Sequence, residues 1–60
     1  MSGYSKFGSI DLIMNYIFTS VGEINQALGE LQAMYEDDNI SEYQYKNVKA
    51  YLEGKLDDLR

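Results

Sequence analysis

The sequence predicts an all-α fold: an antiparallel helical hairpin, with a long helix over about 9–36 and a second over about 41–59, associating into a dimeric helical bundle. Three observations predict it. Apolar residues fall at Ile10, Met14, Ile17, Val21, Ile24, Leu28, Leu31 and Tyr35, in steps of four, three, four, three. That spacing selects a helix over a strand, and a sustained 3.5-residue repeat calls for a second helix lying nearly parallel to the seam. A shorter stripe follows at Tyr45, Val48, Leu52, Leu56 and Leu59. The polar stretch Glu36-Asp37-Asp38-Asn39 between the two is short, which makes the helices antiparallel neighbours.

Residues 1–8 hold two Gly and two Ser among Tyr4, Lys6 and Phe7 and read as a flexible arm, pinned where Tyr4 or Phe7 finds an apolar groove. Residues 9–60 form the one domain. Ser9 caps the long helix, and Asp11 complements the positive end of its dipole. From Ile10 to Phe18 the apolar face is wide, because Leu12, Ile13, Tyr16 and Phe18 point away from the seam. Beyond Val21 it narrows, with Glu23, Gln26, Glu30 and Gln32 on the other sides.

Ser20 followed by Glu23 is a capping-box pattern that would end one helix at Thr19, start another at Val21 and make a three-helix monomer. The seam runs through Ile17, Val21 and Ile24 with no phase change and no Pro, so the continuous helix is the expectation. Gly22 and Gly29 lie seven apart beside the seam; they suit either a close backbone approach or tolerated surface positions. At the end of this helix Asn39 is the residue that tolerates a left-handed conformation. Ser41 with Gln44 then forms a capping box for the second helix, and Glu42 to Lys46 is a supportive i,i+4 pair.

The lengths carry a consequence. A helix of roughly 27 residues spans about 40 Å and one of about 19 residues about 28 Å. Folded back from the turn, the shorter covers the longer only from about Ile17 onward. The front end stays bare although it is the most apolar part, and burying each such side chain is worth about 1.5–3 kcal/mol. A second copy is the expected cover, in a homodimer or a tetramer, through Ile10, Ile13, Met14, Ile17, Phe18 and Val21.

Composition narrows the function. Sixty residues make a small domain of the size that leans on disulfides, metals or oligomerisation. With no Cys and no His, association remains. A net charge of −5 argues against direct binding of nucleic acid or anionic lipid. The polar start shows no signal-peptide pattern and no window reaches the length of a membrane span, so a soluble cytoplasmic protein is expected.

Asp37-x-Asn39-x-Ser41 imitates the opening of a calcium loop, but Glu42 and Val48 stand where Gly and Glu are required. No nucleophile–base pair and no phosphate loop is present, so neither enzymatic activity nor a cofactor or metal is expected. Six Tyr residues invite a binding role, and Tyr16, Tyr43 and Tyr51 flank the stripes as candidate partner contacts together with Asp37, Asp38 and Glu42.

The segment from Leu28 to Leu52, above all Ile40-Ser41-Glu42-x-Gln44-Tyr45 with Lys49 and Leu52, resembles the helical hairpin of short C-terminal (SHOCT) domains. The match covers less than half of the chain, and Asn39 stands where the family usually has Gly. The resemblance implies a hairpin associated with oligomerisation. The functional expectation is a small acidic protein-binding regulator or inhibitor acting as a homo-oligomer on a protein target, of the sort that phage or mobile elements encode. Two other readings are an acidic mimic of nucleic acid that blocks a DNA- or RNA-binding enzyme, and a structural assembly module.

Overall fold

A computed structural model describes residues 6–60, and every described segment is helix or connecting coil. The described residues form three helices: α1 at Ile10–Asn15, α2 at Val21–Glu36 and α3 at Glu42–Leu59. The single long helix is therefore corrected: it breaks at residues 16–20.

The physical reason lies in the caps and in what the break buries. The Ser20 Oγ accepts the Glu23 backbone N–H at 3.3 Å and so starts α2 afresh. The Glu23 carboxylate reaches past Ser20 to the Thr19 N–H and hydroxyl, each at 3.1 Å, and accepts the Tyr16 hydroxyl proton as well. Opening the helix there lets the preceding chain fold back. Phe7, Ile13 and Phe18 then enter one core with Ile24, Ala27, Leu31, Met34, Val48 and Leu52. Three large side chains at about 1.5–3 kcal/mol each outweigh the few helical hydrogen bonds forgone, at about 1 kcal/mol each.

α2 and α3 pack as the expected antiparallel hairpin. Tyr35 and Tyr45 stack near the turn with ring centroids 4.7 Å apart, and equal steps away from that pair bring Leu28 level with Leu52 and Ile24 level with Leu56. The turn is a Schellman end: the Asp38 N–H donates to the Tyr35 carbonyl at 3.1 Å and the Asn39 N–H to the Met34 carbonyl at 2.9 Å. The residue in the left-handed region is Asp38 (φ 61°), one position before the Asn39 expected there. The capping box opening α3 is formed, with Gln44 N–H to Ser41 Oγ at 3.1 Å and Ser41 N–H to Gln44 Oε1 at 3.0 Å.

α1 has the Ser9 cap expected for the first helix, and its Oγ accepts the Leu12 N–H at 3.3 Å. It runs opposite to α2: Ile10 lies beside Met34 and Ile40 at the turn end, whereas Tyr16 and Thr19 meet Glu23 at the start of α2. α2 is thereby covered twice, by α3 on one side and by the preceding chain on the other. This is why Ala27, Glu30 and Met34, off the predicted seam, are buried. Among the described residues a Cβ at Gly29 would meet nothing within 4 Å, and one at Gly22 only the Ser20 Oγ at 4.0 Å, so no described backbone segment closely approaches these glycines.

Candidate interaction surfaces

The N-terminal segment is held by a buried carboxylate. Glu30 is 5% exposed, and its Oε1 accepts the backbone N–H of Phe7 at 3.0 Å and of Lys6 at 3.3 Å, while Oε2 accepts Gln26 Nε2 at 3.0 Å. Sequence reasoning placed Glu30 on an exposed side; its burial is a correction. Helical periodicity records which side α3 covers and carries no mark of a distant segment lying over the opposite flank.

Phe7, 1% exposed, anchors an aromatic cluster. Its ring lies 5.0 Å from that of Tyr16 and 5.6 Å from that of Phe18, and Tyr16 and Phe18 are 4.8 Å apart. The pinning of Phe7 matches expectation, so Phe7 is no part of a free arm; Tyr4 and the rest of residues 1–5 lie outside the described residues. Lys6 extends over the Tyr16 ring at 5.2 Å and places its ammonium 3.6 Å from the Glu23 carboxylate. The hydrogen bond from Tyr16, then that from the Thr19 amide, hold the Glu23 carboxyl down to about 2. Beside Tyr16, the larger influence, and Glu23, the Lys6 ammonium is raised above its usual value.

The six residues expected at a self-association interface separate in space. Ile13 and Phe18 are in the core of the chain itself, and Ile10 is half-buried against it. The expectation that all six lie bare is corrected for these three, since the fold-back supplies their cover. Met14, Ile17 and Val21 remain exposed, Ile17 by 83%, and Leu12 joins them at 54%. Leu12 was noted in the sequence only as part of a wide face. It flanks α1 opposite Met14, with Ile13 pointing inward between them.

The candidate partner residues are also divided. Tyr16 belongs to the aromatic cluster, and Tyr51 is half-buried beneath the Lys55 ammonium at 5.5 Å. Tyr43 stands 77% exposed. Asp37, Asp38 and Glu42 are exposed around the turn, but Glu42 is paired with Lys46 at 3.1 Å. Asp57 likewise has Arg60 at 3.9 Å. The acidic surface is thus interrupted by cations and does not form an unbroken ladder.

One concavity was not legible in the sequence. A cleft of about 310 Å³ opens where Ile10 and Asp11 face Met34, Asn39, Ile40 and Gln44. It is shallow and open to solvent, and among the described residues Asp11 is the one ionisable side chain that lines it. No helix among the described residues is long and apolar enough to cross a membrane. Comparison of the chain with protein-family models, curated proteins and solved structures finds no match.

Proposed function

We propose that this chain is a small acidic, non-enzymatic regulator that works by binding protein, and that it acts as a homo-oligomer. The observation that carries the reading is the exposure of Leu12, Met14, Ile17 and Val21 within one ten-residue stretch. Scattered single apolar residues are ordinary on a surface, but four exposed within ten positions, on both flanks of α1 and on to the start of α2, support association. Ile17 alone leaves enough apolar area in water for its burial to be worth about 1.5–3 kcal/mol.

Sedimentation of the wild type against Ile17→Asp tests the oligomer. Because Ile17 is exposed, the variant remains a folded helical protein, while its mass falls to that of the 6.9 kDa chain. A wild type that is monomeric at every concentration overturns this part of the reading. Capture of a protein target from extract by the wild type and not by Ile17→Asp supports the regulatory part; an identical set of captured proteins for both counts against it.

A further inference from the structure

The heptad seam is not explained by the fold just described. Its second half, Ile24, Leu28 and Leu31, is packed in the hairpin. In its first half Met14, Ile17 and Val21 point to solvent, and the helix that would align them is broken. Yet nothing in residues 16–20 forbids helix: the segment is Tyr-Ile-Phe-Thr-Ser, without Gly or Pro. Its ends are in ordinary extended conformations, Tyr16 at φ −79°, ψ 141° and Ser20 at φ −146°, ψ 154°. The piece before it touches the hairpin through a few separable contacts: the rings of Phe7 and Tyr16, Ile13, and the amides held by Glu30.

We propose that the chain has a second, opened form, a dimer in which residues 16–20 become helical, α1 and α2 merge into one rod, and residues 6–15 dock on the hairpin of a second copy. This rests on the self-association proposed above and specifies its mechanism. Two geometrical facts favour a second copy as the occupant. α1 runs opposite to α2 in the closed chain; in a twofold dimer with the starts of the two α2 helices side by side, the extension of one copy runs opposite to α2 of the other. The reach also agrees. Residues 10–20 in helix carry Ile10 about 16 Å beyond the start of α2, close to the roughly 20 Å between Val21 and Met34, beside which Ile10 lies in the closed form.

Opening gives up the Ser20 cap and the Glu23 bonds to Thr19, and takes Phe18 out of its present place. In exchange the backbone of 16–20 gains helical hydrogen bonds, and Met14, Ile17 and Val21 fall on one line of the rod with Ile24 and Leu28. Phe7, Ile13 and the Glu30 contacts are remade on the other chain, as in any exchange of identical elements.

The Lys6–Glu23 ion pair, 3.6 Å long and spanning the hinge, supplies the test. Equal amounts of ¹⁴N and ¹⁵N protein are unfolded together, refolded, separated by size and treated with a zero-length carbodiimide crosslinker, and the Lys6–Glu23 peptide pairs are weighed. The expected result is mixed-isotope pairs in the dimer fraction and single-isotope pairs in the monomer. The double variant Thr19→Ala/Ser20→Ala, which removes the cap and raises helix propensity, is expected to increase the dimer fraction and the mixed pairs together. A dimer with single-isotope pairs only overturns the opened form and leaves self-association standing. Monomer alone for both wild type and double variant overturns both.

Discussion

The buried Glu30 carboxylate accepts the Phe7 backbone N–H at 3.0 Å, while the Phe7 ring fills the core between Tyr16 and Phe18. A residue on α2 thereby fixes a segment 23 positions earlier in the chain. Removing either partner tests this arrangement. Phe7→Ala is expected to cost about 3–5 kcal/mol, which for a domain this small is most of its stability. Glu30→Ala leaves the Phe7 and Lys6 amides without that acceptor and is expected to cost about 1–3 kcal/mol. Glu30→Gln, which keeps an accepting oxygen, is expected to lose less than Glu30→Ala. Urea denaturation followed by circular dichroism ranks the three.

Glu23 predicts a defined acid response. Its folded-state value of about 2 lies below the ordinary 4.5, so its contribution is complete above pH 4.5 and is lost as the pH falls toward 2. Tyr16→Phe removes the largest influence and is expected to raise the Glu23 value toward 4.5. Carboxyl-carbon NMR titration of wild type and variant reads both; an unchanged Glu23 curve in Tyr16→Phe counts against the assigned cause.

Asp38 occupies the left-handed position of a Schellman end that Gly fills without strain, and it adds negative charge at the negative end of α2. Asp38→Gly is expected to stabilise the fold by about 1 kcal/mol, raising Tm by roughly 4–8 °C. Thermal unfolding at neutral pH checks the sign: a lower Tm would show that Asp38 makes a favourable contact outweighing its backbone cost.

Gly29 and Gly54 lie inside helices with open space where a Cβ would be. Each change to Ala is expected to stabilise by about 1 kcal/mol. Measured by denaturation in dilute solution, a destabilised Gly29→Ala would indicate a neighbour at that position that the isolated chain does not show.

How much was legible depends on the range over which each interaction acts. The α3 cap formed as Ser41-x-x-Gln44 predicts, and of the predicted stripe Tyr45, Val48, Leu52 and Leu56 face the core while its last member, Leu59, is exposed; cap and stripe are both read within one or two helical turns. At Ser20 the local signal was equally clear, yet the periodicity across Ile17, Val21 and Ile24 pointed the other way. Two local rules conflicted, and the choice between them depended on Phe7, ten or more residues away. Among the candidate surface residues, Met14, Ile17, Val21 and Tyr43 are exposed, whereas Ile13 and Phe18 lie in the core and Tyr16 packs against it.

By itself, the sequence determined that this chain is helical, where α3 begins, that α2 and α3 reverse across an acidic turn, and that no disulfide staples them. Those properties follow from side-chain chemistry over a few consecutive residues. Only the tertiary structure decided that the front of the predicted long helix folds back, that Glu30 goes inside, and which apolar residues remain bare. Burial is a property of what arrives from elsewhere in the chain. A carboxylate at a given helical position is solvated or sequestered according to whether two backbone amides come to meet it.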